Sequence, residues 1–244
     1  MRKTLVILPT FNEKDTLPVV IIKILSQEAF DILVVDDKST DGTAEIAAHW
    51  QGKDKRVNVL NRQGKLGLGT AYVAGFMWGL ERGYECFMEM DSDLSHNAAD
   101  LPRFLDEVEK GSDLVIGSRY MYGTISVVGW DFRRLLLSRF GNLYASFILG
   151  IKVSDMTSGF RAYSRKALEG IDLNIVGSEG YAFQIEMTYH VFRTGLGIKE
   201  IPIIFHERSK GHSKMSKKIV REASWLPWRL RAGELKGLFR RQQG

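Results

Sequence analysis

Short apolar runs of strand length alternate with helix-period segments through the first half of the chain, and polar clusters follow four of the five runs. Residues 3–8, 32–35, 57–60, 86–90 and 114–116 read as strands. Between them, 15–26, 43–50, 70–82 and 99–110 space their apolar residues as helices do. This alternation admits few architectures. Strands joined through helices run parallel, and a parallel sheet needs helices over both faces. The expected fold is therefore α/β, with a mostly parallel sheet and helices on both faces. In such sheets ligands bind beyond the carboxyl ends of the strands.

The second half is less regular. Residues 131–149 predict a long helix and 181–194 another. Residues 198–205 predict a strand, placed at a sheet edge because Pro202 lacks the N–H a central strand needs. Residues 216–239 predict basic amphipathic helices broken near Pro227. No repeat or linker divides the chain, so the reading is one domain over 1–215 and a basic amphipathic tail over 216–244.

Charge separates along the same line. The chain carries +5 overall, yet from Arg208 onward 11 Lys/Arg face only Glu222 and Glu234. A basic tail on a mildly acidic body suits an anionic partner. The single cysteine, Cys86, excludes an internal disulfide and a cysteine-rich zinc site. The apolar run at 5–8 is too short for a signal peptide, and no run approaches a membrane span. The expected location is cytoplasmic, peripherally on the cytoplasmic face of a membrane.

The polar clusters are Pro9-Thr10-Phe11-Asn12-Glu13, Asp36-Asp37-Lys38-Ser39-Thr40-Asp41-Gly42-Thr43, Asp91-Ser92-Asp93-Leu94-Ser95-His96 and Gly117-Ser118-Arg119. Alone, Asp91-Ser92-Asp93 reads as a turn and helix start sooner than as a metal site. Beside three other clusters at the same sheet edge, two carboxylates one residue apart suit Mg²⁺ or Mn²⁺, with substrate phosphates completing the shell. Asp41 reads as holding the start of the helix at Thr43, which leaves Asp37 to accept hydrogen bonds from a base or ribose. His96 reads as a residue leading into a helix rather than as a base. The glycines of Lys65-Leu66-Gly67-Leu68-Gly69 match neither the Walker nor the dinucleotide pattern and read as close packing ahead of a helix, with Lys65 facing the ligand.

These clusters, with Gly129-Trp130, Arg134, Ser138 and Arg208-x-x-Gly211-x-Ser213-Lys214, resemble the inverting sugar-nucleotide transferases of glycosyltransferase family 2. Within it they resemble the dolichyl- or polyprenyl-phosphate mannosyltransferases. The resemblance implies a GT-A, Rossmann-like fold and transfer of mannose from GDP-mannose to a polyprenyl (dolichyl) phosphate. It implies donor contacts from Pro9, Phe11, Glu13, Val35, Asp37, Lys65, Ser92, Arg208 and Lys214. Asp91, Asp93 and Ser95 would hold the metal, and Arg208 would join Asp91 and Asp93 in catalysis. Arg119, Arg134 and Ser138 would bind the acceptor phosphate. Phe11 stands where the family usually has Tyr, and Ser95 where some relatives have Gln. UDP-glucose or another nucleotide sugar is the alternative donor. Nucleic acid is not an expected partner, because the clustered acids would repel it.

Overall fold

In the computed structural model, which describes residues 2–207 and 222–232, the expected alternation is realised. The first half runs β1 (Thr4–Thr10), α1 (Leu17–Leu25), β2 (Phe30–Asp36), α2 (Thr43–Lys53), β3 (Val57–Asn61), α3 (Leu68–Glu81), β4 (Cys86–Glu89), α4 (Leu101–Glu109) and β5 (Leu114–Ser118). Three two-residue strands follow, β6 (Tyr120–Met121), β7 (Thr124–Ile125) and β8 (Val127–Val128). Then come α5 (Phe132–Leu149), β9 (Arg161–Ser164), α6 (Arg165–Glu169), α7 (Tyr181–Arg193), β10 (Ile198–Pro202) and β11 (Phe205–His206). Residues 222–232 form a further helix, α8.

The main sheet has the order β10-β5-β9-β4-β1-β2-β3. Its neighbours are parallel except β9, which runs antiparallel to both β4 and β5. Side chains on β1 alternate between two cores, as a strand covered on both faces requires. Leu5 and Ile7 pack with Tyr72 and Phe76 of α3 and Phe183 of α7. Val6 and Leu8 pack with Val20 and Ile24 of α1 and Phe104 of α4. Pro202 ends β10 at the sheet edge, as expected. The predicted strand at 198–205 breaks after it, and Phe205–His206 pairs with β8 instead.

One expectation changes. Residues 222–232 are helical straight through Pro227. This part of the predicted tail also packs on the body: Leu226 is buried in the α3–α7 core, and Tyr189 Oη donates to the Leu230 carbonyl at 3.2 Å. The α5 surface is not core. Only Asn142, Ala145 and Leu149 are buried, while Phe132, Phe140 and Phe147 are 71%, 67% and 87% exposed. Among the described residues no helix is long and apolar enough to cross a membrane.

Candidate active site

The carboxyl ends of β1, β2 and β4 open onto one cavity of about 400 Å³. Pro9, Phe11 and Glu13 reach it from beyond β1, Asp37 from beyond β2, Lys65 from the loop ahead of α3, and Asp91, Ser92 and Asp93 from beyond β4. Val35 does not. The two-residue period of β2 turns it to the same face as Leu33, and it is sealed in the core. Arg208 and Lys214 lie outside the described residues.

The turns that leave these strands are strained. Asn12, Lys38 and Leu94 have left-handed φ of 61°, 60° and 67°. A non-glycine residue holds such a conformation only where its surroundings fix it. The Asn12 N–H donates to Ser39 Oγ and the Thr40 N–H to Asn12 Oδ1, both at 2.9 Å. Ser92 Oγ donates to the Pro9 carbonyl at 2.9 Å, tying the β4 turn to the β1 turn. The Asp91 N–H donates to His96 Nδ1 at 3.2 Å, and the His96 ring stacks on Phe160 at 4.8 Å. His96 therefore does more than lead into the next helical turn. It lines the cavity and orients the backbone of Asp91.

Asp41 holds the start of α2, as expected: its Oδ1 accepts the Thr43 N–H at 3.0 Å. Asp37 is engaged rather than waiting for a ligand. Its Oδ2 accepts the N–H groups of Leu66 and Gly67 at 3.1 and 3.2 Å, and Arg62 Nη1 lies 2.8 Å from its Oδ1. Arg62 also donates to Thr70 Oγ1 at 2.6 Å, so the pair clamps the loop that carries Lys65. Lys65 Nζ sits 4.1 Å from the Phe11 ring centroid, a cation–π contact. The close-packing role of the following glycines holds. A Cβ on Gly69 would come within 2.5 Å of the Ser178 carbonyl oxygen.

Asp91 and Asp93 both face the cavity. Ser95 is fully buried and does not line it; its N–H donates to Asp93 Oδ1 at 3.0 Å. Among the described residues no group of three or more His, Cys, Asp or Glu can hold a metal. Two carboxylates nevertheless fit a hard cation that takes its remaining ligands from water and a diphosphate.

Arg119 and Arg134 line the same cavity. Arg119 is buried and forks onto Asp155, its Nε and Nη2 each donating at 2.7 Å, with a further bond to Thr157 Oγ1 at 2.9 Å. Burial pushes the Asp155 carboxyl upward, but the Arg119 guanidinium overrides it and holds the group below its ordinary value. Arg134 Nη1 donates to Glu207 Oε1 at 2.7 Å, and its guanidinium lies 4.2 Å from the Trp130 ring centroid. Ser138 Oγ accepts from Tyr120 Oη at 2.8 Å.

Ser138 lines a second cavity, of about 290 Å³, whose wall is largely Leu137, Phe140, Tyr144, Ile185 and Ala223. Trp130, Arg134, Thr157 and Tyr181 line both cavities and so form their junction.

Sequence reasoning missed a polar group beneath the first cavity. Glu89 and Gln184 are buried, with Gln184 Nε2 donating to Glu89 Oε2 at 2.6 Å. Burial pushes the Glu89 carboxyl up to about 7, against the opposing influence of Arg161. The available signal was an acid inside the apolar run 86–90.

The model of the family described as glycosyl transferase family 2 matches residues 5–172. The polyprenol monophosphomannose synthase of Mycolicibacterium smegmatis is 48% identical over 224 residues, covering 91% of this chain and 84% of that protein. The undecaprenyl-phosphate mannosyltransferase of Micrococcus luteus is 46% identical over 222 residues, covering 91% and 90%. In fold the chain is similar to glucosyl-3-phosphoglycerate synthase from Mycobacterium tuberculosis. The structure with Mn²⁺, UDP-glucose and phosphoglyceric acid gives a TM-score of 0.69 at 20% identity, over 95% of this chain and 80% of that one. The complex with UDP gives 0.68 at 22% identity, over the same shares.

Proposed function

Because the chain belongs to glycosyl transferase family 2, we propose that it transfers mannose from GDP-mannose to the phosphate of a polyprenyl phosphate, with inversion at the sugar. The observation that carries this reading is the pair of joined cavities. A polar cavity with carboxylates at its floor suits a nucleotide sugar. The apolar cavity beside it suits an isoprenoid chain, and the cation Arg134 stands at their junction. An amphiphile with an anionic head matches that order. The names of the two mannosyl-transferring relatives support the same acceptor class.

In the proposed reaction an acceptor phosphate oxygen bonds to the anomeric carbon, and the bond from that carbon to the GDP oxygen breaks with its electron pair. A phosphate monoester has its second pKa near ~6, so the attacking oxygen carries charge at neutral pH and no strong base is required. Asp91 and Asp93 would hold Mg²⁺ or Mn²⁺, which when bound offsets the charge developing on the leaving diphosphate. Phe11 offers a face for the base. Arg119, held rigid by Asp155, and Arg134 offer positive charge to the acceptor head. Arg208 and Lys214 are assigned to the donor diphosphate on the family resemblance alone.

The exposed apolar face of α5, with Trp225 and Trp228 of α8 at 68% and 52% exposure, supports peripheral attachment to an anionic bilayer on its cytoplasmic face. The test of the reaction is transfer of radiolabel from GDP-mannose or UDP-glucose to polyprenyl phosphate with Mg²⁺ or Mn²⁺. Label from GDP-mannose entering the lipid phase is the expected result. No lipid-phase label from either donor sinks the proposal, and label from UDP-glucose alone reassigns the donor.

A further inference from the structure

Gly141 lies inside α5, where glycine is the least favourable residue after proline. Neither its backbone nor its packing calls for glycine. Its conformation is helical, with no left-handed φ. A Cβ built on it would meet nothing within 4 Å. The glycines inside α3 differ. A Cβ on Gly75 would stand 2.7 Å from Ile7 Cγ2, and one on Gly79 2.6 Å from Phe87 Cε1, so these two let α3 seat closely on the sheet. Gly141 seats no element against another. It lines the apolar cavity of about 290 Å³.

That cavity runs along one face of α5. Arg134, Leu137, Ser138, Gly141 and Tyr144 all line it, at the three- and four-residue spacing that stacks side chains on one side of a helix. Among the described residues that line it, Arg134 alone carries a charge, and Arg134 also lines the polar cavity. Gly141 follows it by two helical turns, ~10 Å along the axis. At the Tyr144 end, α5 is tied to α8: Tyr144 Oη donates to the Ser224 carbonyl and accepts from the Trp228 indole, both at 2.8 Å. The cavity therefore leads from a cation toward the exposed apolar surface that α5 and α8 share. A chain that begins in a phosphate and continues as hydrocarbon fits that course.

We infer that Gly141 is a specificity-determining residue for the acceptor: its missing side chain makes room for the methyl branches of the first isoprene units behind the phosphate. The inference rests on the proposal that this cavity takes the tail of a polyprenyl phosphate. An isoprene unit adds four carbon–carbon bonds of about 1.5 Å to the main chain, so about two units reach from a phosphate at Arg134 to the level of Gly141. A straight alkyl chain would leave the room at Gly141 unfilled. Each branch methyl buried there is worth about fourfold in affinity.

The test compares tetrahydrogeranyl phosphate with n-octyl phosphate, which share a saturated main chain and differ only in two methyl branches. Affinities for both, and for GDP with Mn²⁺, are measured by calorimetry on wild type, Gly141→Ala and Gly141→Leu. Wild type is expected to prefer the branched tail by about tenfold. Gly141→Ala should narrow that preference about fourfold while raising the melting temperature by about 2–4 °C, since alanine is the better helix former. Gly141→Leu should weaken both tails by about tenfold or more, by filling the cavity, and leave GDP affinity unchanged. If the leucine variant fails to fold, the alanine variant decides. The inference is overturned if wild type binds the two tails equally, if Gly141→Ala keeps the wild-type preference or melts lower, or if GDP affinity falls together with tail affinity. Transfer of mannose from GDP-mannose to geranyl phosphate is followed in parallel. Tail binding that depends on residue 141 without any transfer refutes the proposed reaction and leaves the role of Gly141 standing.

Discussion

Arg134, which lines both cavities, meets Glu207 at 2.7 Å across 73 residues of sequence. The pair is partly exposed, with side-chain accessibilities of 21% and 44%, so it contributes little to folding, about 0–1 kcal/mol. Its geometry matters more for the acceptor, because Glu207 occupies the guanidinium a phosphate would use.

Arg134→Ala is therefore expected to raise KM for polyprenyl phosphate by tenfold or more, at an order-of-magnitude estimate, with donor KM and melting temperature nearly unchanged. Glu207→Gln is expected to lower the acceptor KM, since a competing anion is removed. Steady-state kinetics with each substrate varied in turn checks both. An unchanged acceptor KM in Arg134→Ala would remove this arginine from the acceptor site.

Asp93→Asn is expected to reduce kcat on the order of a thousandfold, with the fold intact. The Ser95 N–H that bonds Asp93 Oδ1 can still find the carboxamide oxygen, which is why stability should survive. Titration of GDP with and without Mn²⁺ is the companion measurement. Wild-type protein should bind GDP more tightly with metal, and the variant should show little difference.

How far the sequence disclosed this site depends on what each residue answers to. Pro9, Phe11, Glu13, Asp37, Asp91 and Asp93 were legible because strand ends are marked by the switch from apolar runs to polar turns, and they all reach one cavity. The side chain of Val35 lies in the core; the resemblance gives its position but not the face it takes on β2. The strand β9 was invisible. Arg161-Ala162-Tyr163-Ser164 has no apolar run, and its arginine is tolerated in the core only because groups outside the strand satisfy it, the Met156 and Ser158 carbonyls just before it and the Gln184 carbonyl and Thr188 hydroxyl of α7. Arg62 and Asp155 escaped for the same reason, since their roles lie in partners 25 and 36 residues away.

Asp155 should prove a stability residue first and a site residue second. Removing its charge leaves Arg119 buried without a counter-ion, a change expected to cost about 3–5 kcal/mol. The folded carboxyl is held below its ordinary value of 3.8 by Arg119. Its stabilising contribution is thus fully present above the unfolded pKa and lost as pH falls through the lower, folded one. Urea unfolding should show wild type well above Asp155→Asn at pH 7, with the gap shrinking only below about pH 4. A gap that already closes between pH 7 and 5 would assign the stabilisation to another group.

The outward face of α5 makes the last prediction. Phe140 and Phe147 are 67% and 87% exposed, seven residues apart and therefore on one side of the helix. They share the surface with Trp225 and Trp228 of α8, and the Trp228 indole donates to Tyr144 Oη at 2.8 Å, joining the two helices into one patch. An apolar patch on a basic chain fits the interface of an anionic bilayer. Phe147→Glu should weaken flotation with phosphatidylglycerol vesicles and slow transfer to long-chain acceptor presented in them. Transfer to a short, water-soluble polyprenyl phosphate should be unaffected, because the substitution lies outside both cavities. Raising salt should reduce wild-type flotation by screening the basic residues without abolishing it, since the apolar contribution persists. Equal loss of transfer to both acceptors would instead locate Phe147 in the path of the substrate rather than at the membrane.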